Sequence, residues 1–165
     1  MNDSIILGID PGFRYAGFGV LKKEGSKAFL LDHGFLKLRP QDSLVQRTGI
    51  FYDFFKEKIV TYHVNHLSLE TSFLGKNAQN FLKLGYLRGI LYLLASQHNL
   101  ELHEFAPRQV KSALTGFGGA SKEQVGRVIC RLFPRITTPQ RDDVTDALAI
   151  TLCGLWHQKN SNLPK

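Results

Sequence analysis

Cysteine is scarce in this sequence, which contains only two, Cys130 and Cys153, both in apolar helical surroundings. Neither has a cysteine or histidine at the spacing of a metal motif, so we predict free core thiols and no disulfide framework. Unpaired thiols of this kind are typical of a reducing compartment, and we therefore expect a cytoplasmic protein.

Long apolar segments are also missing. No run approaches the ~18 residues that a transmembrane helix needs. Nor does a basic leader with a cleavable apolar region precede the first predicted strand. We therefore expect neither a signal peptide nor a membrane partner.

Acidic residues are outnumbered, 14 against 21 basic ones, which gives a formal net charge of +7. This surplus favours a polyanionic partner, with nucleic acid first, although many basic proteins bind nothing anionic. The hydrophobic fraction of 43% and the 12 phenylalanines are enough for a buried core. We predict one domain over residues 1–157 and a frayed C-terminal tail over 158–165.

The hydrophobic pattern predicts a mixed α/β order: three strands, a helix, a strand, a helix, a strand and then helices. The strands are expected near 5–9, 15–21, 28–38, 66–70 and 100–105, and the helices near 43–59, 77–97, 107–115, 121–133 and 142–156. Gly17 and Gly19 leave the second strand open to close approach by a ligand or a neighbouring element. The fold class is therefore α/β, a mixed five-stranded sheet flanked by helices.

Two predicted strands end on a carboxylate. The aliphatic run 5–9 leads to Asp10 before Pro-Gly, and the run 66–69 leads to Glu70. An Asp at this position often does no more than open a turn. The C-terminal ends of strands in an open sheet are, however, where functional sites usually lie.

Two further acids, Asp143 and Asp146, share one face of the last predicted helix beside an apolar stripe. The helix dipole alone favours Asp142 and Asp143, by ~0.3–1 kcal/mol each. It does not account for Asp146, one turn later. If the helix packs across the strand ends, four carboxylates converge, and with no His or Cys nearby their oxygen atoms favour Mg²⁺ or Mn²⁺ over zinc. Two such ions are typical of phosphodiester hydrolysis.

Seven short motifs carry a family resemblance. They are Gly-Ile-Asp-Pro-Gly at 8–12, Glu-Thr-Ser-Phe at 70–73, Lys-Asn-Ala at 76–78, Lys-Leu-Gly at 83–85, Arg-Gly at 88–89, Pro-Arg-Gln-Val-Lys at 107–111 and Asp-Val-Thr-Asp-Ala-Leu-Ala-Ile at 143–150. In this order and at this spacing, the sequence resembles the RuvC family of Holliday-junction resolvases from Ile5 to about Trp156.

The resemblance implies a ribonuclease-H-like fold, a homodimer and Mg²⁺-dependent cutting of four-way DNA junctions during recombination and repair. It also implies a branch-migration complex, RuvAB, as partner. The family's four acids fall on Asp10, Glu70, Asp143 and Asp146, which are the expected catalytic and metal-binding residues. Asp142 beside Asp143 leaves open which of the two binds metal.

The expected DNA contacts are one aromatic residue and six basic ones: Phe73, Lys76, Lys83, Arg108, Lys111, Lys122 and Arg127. Lys111 and Lys122 match basic family positions by the active site, and Arg14 is a looser candidate. For any single lysine, a solvated surface charge is the ordinary alternative. Phe73 fits stacking on an unpaired base about as well as it fits a core position.

The helix over 77–97 carries two apolar stripes, one through Leu87 and Leu91 and a second through Leu82, Tyr86 and Leu93. Such a helix must be covered on more than one side, and we expect a subunit interface. The sequence supports three other functions less well: a junction-binding protein that does not cut, a small-molecule phosphotransferase of the actin-like type and an RNA-processing nuclease of the same fold.

Overall fold

The computed structural model describes residues 4–71, 78–134, 136 and 141–160, with side chains to 157. Its strands are β1 (Ser4–Asp10), β2 (Tyr15–Glu24), β3 (Lys27–Lys37), β4 (His66–Glu70) and β5 (Glu101–Phe105). Its helices are α1 (Leu44–Tyr62), α2 (Ala78–Gln97), α3 (Pro107–Thr115), α4 (Lys122–Leu132) and α5 (Asp142–Asn160). The predicted order of elements is confirmed.

The five strands form one mixed sheet in the order β3-β2-β1-β4-β5. The first three strands are antiparallel neighbours, as expected for consecutive strands joined by short turns. The strand β4 pairs in parallel with both β1 and β5. The chain enters β4 from α1 and leaves it through α2, which crosses to β5 as parallel neighbours require. This arrangement places the C-terminal ends of β1 and β4 side by side.

Separate apolar cores cover the two faces of the sheet. On one face, Leu7 and Ile9 of β1 join the buried residues of α1 and α2. On the other face, Ile6 joins those of α3, α4 and α5. The central strand therefore contributes alternate side chains to both cores, which explains why its sequence is continuously aliphatic.

Both α1 and α4 begin with a capping box, and the sequence Ser121-Lys122-Glu123-Gln124 predicts the one in α4. In α4 the Ser121 hydroxyl accepts a 3.2 Å hydrogen bond from the backbone N–H of Gln124. The apolar stripe of α1 is buried at Phe51 and Phe55, but Leu44 is 41% exposed. The sequence pattern Leu44, Thr48, Phe51, Phe55 and Ile59 predicts a stripe that starts at Leu44. This is about two turns too early, because the core cluster that α1 joins starts only at Phe51.

The last helix is longer than its sequence pattern predicts. It continues past Trp156 to Asn160, so residues 158–160 of the expected tail are helical. No proline or glycine follows Trp156 within this stretch, and nothing in it stops a helix. Cys130 and Cys153 are both free, as predicted. None of the helices described is both long and apolar enough to cross a membrane.

Candidate active site

Asp10 and Glu70 end two neighbouring parallel strands. Ile9 pairs with Leu69, so the two acids come one residue later at the same edge of the sheet. Strand neighbours lie about 4.8 Å apart. The predicted convergence of these two carboxylates therefore follows directly from the register of β1 and β4.

The helix α5 brings Asp143 and Asp146 to the same edge. Asp10 pairs across the sheet with Gly17 of β2, and a methyl group at Gly17 would overlap the backbone carbonyl of Asp143. The start of α5 therefore rests directly on the strand beside Asp10. At Gly19, an added Cβ would come within 2.6 Å of the Leu148 side chain. The predicted close approach at these glycines is thus made by α5.

Basic side chains contact two of these acids. The Lys122 ammonium donates a 3.0 Å hydrogen bond to Asp146, and Arg141 donates one of 3.0 Å to Asp143. Asp142, by contrast, is exposed. Among the residues that the structure describes, no three of the four acids have oxygen atoms within 4.8 Å of one another. Lys122 and Arg141 therefore each neutralise part of the charge of one acid.

Burial and mutual repulsion act on the titration of the acids. The pKa of Asp10 is raised from 3.8 to about 7, mainly by burial and then by the charges of Asp146, Asp143 and Glu70. The pKa of Glu70 is also raised, first by burial and then by Asp146. Lys122 opposes the repulsion at both acids. The site thus holds more negative charge than its cations neutralise.

The excess negative charge of the four acids suits a divalent cation. A buried carboxylate with a raised pKa and three acidic neighbours gains stability when a positive ion replaces its proton. The available donors at the site are carboxylate oxygens, which hard cations such as Mg²⁺ prefer. Asp10, Glu70, Asp143 and Asp146 therefore form a suitable ligand set.

A cleft adjoins the acids. Glu70, Asp146, Lys111 and Lys122 lie along it, and its remaining wall is apolar, formed by residues of α3, α4 and α5. Lys111 lowers the pKa of Glu70 against the effect of burial, so its charge acts on that acid. The structure therefore brings two of the predicted DNA-contacting lysines to the acids.

The other predicted contacts lie elsewhere. Lys83 on α2 and Arg108 on α3 are exposed and do not line this cleft. Arg127 is exposed on α4, with its guanidinium 4.0 Å from Glu123. Phe73 and Lys76 lie outside the described residues.

Two arginines at the site were missed in the sequence as functional residues. Arg88 is only 8% exposed and donates a 2.6 Å hydrogen bond to the backbone carbonyl of Glu70. Arg141 has its guanidinium carbon 3.4 Å from the centre of the Tyr15 ring. The available signals were the Arg-Gly motif at 88–89 and the position of Arg141 directly before the acidic pair.

Comparison with known proteins agrees with this geometry. The family model described as "Crossover junction endodeoxyribonuclease RuvC" matches residues 6–154. The chain belongs to the RuvC family. A RuvC from Pelodictyon phaeoclathratiforme is 46% identical over 151 residues, 92% of this chain and 79% of that relative. A RuvC from Prosthecochloris aestuarii is 42% identical over 98% of this chain and 86% of its own length.

Solved structures of the RuvC family share the fold. The structure of "T. thermophilus RuvC in complex with Holliday junction substrate" matches with a TM-score of 0.89 and 28% identity, covering 96% of both chains. The yeast mitochondrial Holliday junction resolvase Ydc2 shares the fold with a TM-score of 0.66 at 17% identity. The predicted ribonuclease-H-like fold is confirmed.

Proposed function

We propose that this protein is a Holliday-junction resolvase, an endonuclease that makes paired, symmetric cuts in four-way DNA junctions during recombination and repair. The observation that carries the proposal is the meeting of Asp10, Glu70, Asp143 and Asp146 at one sheet edge. Lys111 and Lys122 lie in the adjoining cleft. A RuvC relative with nearly the same backbone is known in complex with a Holliday junction.

The four acids are the proposed metal ligands, with Mg²⁺ as the ion, Mn²⁺ as a possible substitute and two ions per subunit. Bound there, the ions would activate water for attack on the phosphodiester and stabilise the leaving oxygen. Asp143 is favoured over Asp142 because Asp143 acts on the pKa of Asp10, whereas Asp142 is exposed.

The cleft lysines have a separate role in binding the substrate. Lys122 has a side chain that is 66% exposed although it is paired with Asp146. If a metal ion binds Asp146, the Lys122 ammonium is free to turn towards a phosphate of the DNA backbone. Lys111, on the same cleft wall, would orient the same strand. Both residues thus offset the repulsion between the DNA and the acids.

We also propose that the protein works as a homodimer through α2. Leu82, Tyr86 and Leu93 on this helix are 57%, 42% and 50% exposed. Side chains of this size in one stripe are typical of a protein interface. Leu87 and Leu91 of the other stripe are fully buried within the chain and belong to the fold. Two subunits would supply two active sites for the paired cuts.

Further DNA contacts are proposed at Phe73, by base stacking, and at Lys76, Lys83, Arg108 and Arg127, through phosphates. The branch-migration complex RuvAB is the proposed protein partner, and the cytoplasm is the proposed location. These proposals rest on the family membership and on the charge of +7.

The test is a cleavage assay on a mobile four-way junction beside a linear duplex of the same sequence, with and without Mg²⁺. We expect paired cuts in the junction alone, only with Mg²⁺, and their loss in Asp10→Asn. Binding to the junction without cutting would favour an architectural protein. Equal cutting of the duplex would favour a general nuclease.

A further inference from the structure

A second group of metal-binding side chains lies at the opposite end of the parallel strands. His66 begins β4, and Glu101 begins β5 directly beside it. His103 follows two residues later and points to the same face as Glu101, because strand side chains alternate. These three residues have ligand atoms within 4.8 Å of one another, and they are the only such group among the described residues.

The separations match the edges of a small coordination tetrahedron. His66 Nδ1 lies 3.3 Å from His103 Nε2. Glu101 places one carboxylate oxygen 3.5 Å from His66 Nδ1 and the other 3.5 Å from His103 Nε2. Ligands about 2.0–2.1 Å from a tetrahedral zinc ion lie roughly 3.3–3.4 Å apart. Three donors are thus already at nearly the required spacing.

We propose that His66, Glu101 and His103 form a second metal site, which binds one zinc-class transition-metal ion. Imidazole nitrogen favours Zn²⁺, Co²⁺ or Ni²⁺ over Mg²⁺, so this site and the four acids select different ions. His157 of α5, with its ring centre 5.5 Å from that of His103, is the nearest candidate for a fourth ligand.

The local environment also suits a metal. The side chains of His66 and His103 are 14% and 8% exposed, whereas that of Glu101 is 65% exposed and leaves an entry path. The two imidazole rings are therefore held inside the protein, and an ion would reach them from the side of Glu101.

The site is distinct from the proposed catalytic one. His66 and Glu70 are the first and last residues of β4, which puts their Cα atoms about 13 Å apart at ~3.3 Å per residue. An ion held there would tie the start of the edge strand β5 to β4. Its expected role is structural, since it would fasten the sheet beneath the last turns of α5.

The test is a Co²⁺ titration followed by visible absorption, with excess Mg²⁺ present to occupy the acids, and then displacement by Zn²⁺. We expect one Co²⁺ per chain with the intense spectrum of tetrahedral coordination. His103→Gln and Glu101→Gln should each weaken binding by roughly tenfold or more. His33→Gln, at an exposed histidine of β3, is the matched control and should bind as the native chain does.

Thermal unfolding provides a second readout. Zn²⁺ should raise the midpoint of the native chain and of His33→Gln, and raise it less in Glu101→Gln, because binding stabilises only the folded state. Glu101 is exposed, so this variant keeps its fold even if His103→Gln does not. An octahedral spectrum, or Co²⁺ binding unchanged in Glu101→Gln and in folded His103→Gln, would overturn the proposal.

Discussion

Arg88, on the helix α2 that follows β4 in the chain, donates a 2.6 Å hydrogen bond to the backbone carbonyl of Glu70. The same guanidinium contacts the carboxylate of Glu104 on β5, which also accepts a 2.8 Å hydrogen bond from Tyr92. Arg88 therefore joins α2, β4 and β5 at the point where a proposed metal ligand emerges.

Replacing Arg88 with Met is expected to slow junction cleavage by roughly 10–100-fold, because Glu70 loses the contact that fixes its backbone. Stability should fall by about 1–3 kcal/mol, since the Glu104 carboxylate loses its cationic partner and keeps only the hydrogen bond from Tyr92. Single-turnover cleavage and denaturant unfolding measure the two effects. Arg39→Met, at an arginine whose side chain is 66% exposed, is the control and should change neither. Normal cleavage by folded Arg88→Met would show that Glu70 needs no such support.

Asp10→Asn is expected to stabilise the metal-free protein at pH 8 while abolishing cleavage. The pKa of Asp10 is about 7 when folded against 3.8 ordinarily, so the folded chain holds a proton that the unfolded chain releases above pH ~4. The resulting stability is full below pH ~4 and is lost as the pH rises through 7. Asparagine avoids that loss, which is on the order of 4 kcal/mol for this difference in pKa.

Urea unfolding of both proteins at pH 4 and pH 8, without Mg²⁺, checks this expectation. The two curves should nearly coincide at pH 4 and separate at pH 8. Added Mg²⁺ should stabilise the native chain more than the variant and thereby narrow the difference. A variant less stable than the native chain at pH 8 would mean that Asp10 is already neutralised by its neighbours.

Lys122→Met is expected to shift the acid limb of the cleavage profile to higher pH, because Lys122 lowers the pKa of Asp10 and Glu70. Junction affinity should also depend less steeply on salt, by about one phosphate contact. Both are read from cleavage rates against pH and from binding at several salt concentrations. Lys27→Met, at the exposed first residue of β3, should leave the pH profile unchanged.

Gly17→Ala is expected to destabilise the fold by at least roughly 2 kcal/mol and to lower cleavage, because its methyl group would push Asp143 away from Asp10. The same change at Gly49 of α1 meets nothing within 4 Å. There alanine should stabilise the protein by ~0.5–1 kcal/mol. In thermal unfolding, the midpoint should fall for Gly17→Ala and rise for Gly49→Ala. A shift in the same direction for both variants would contradict this expectation.

Leu93→Lys is expected to convert a dimer into a folded monomer, because it places a charge in the proposed α2 interface. Light scattering should give twice the chain mass of 18.6 kDa for the native protein and the single mass for the variant. Val45→Lys, at a valine of α1 that is 80% exposed, should remain dimeric. A native monomer at micromolar concentration would contradict the dimer.

Much of the site could be predicted because its acids lie at the ends of predicted strands and beside the apolar stripe of a predicted helix. Asp10 and Glu70 each follow a short apolar strand, and Asp146 falls beside a helical stripe where no dipole effect explains it. The strand order of the sheet then brings them together. Periodicity gives the elements, and turn residues give most of their ends.

The missed contacts depend on pairings that no local pattern encodes. His66 and Glu101 face each other only because β4 and β5 pair in one particular register. Arg88 belongs to one of the family motifs, but nothing in the sequence assigns it a role, and its side chain is directed to the end of β4. The extra residues of α5 were missed for a simpler reason, since no sequence signal fixes where that helix ends.

The pairing of β1 with β4 has a consequence for how this enzyme can fail. Sliding either strand by a single residue would turn its terminal acid to the other side of the sheet, away from α5. A chain with this register error would then lack the complete set of acids and would be inactive as a nuclease. Correct assembly of the sheet is in this way a safeguard for the genome in which the nuclease works.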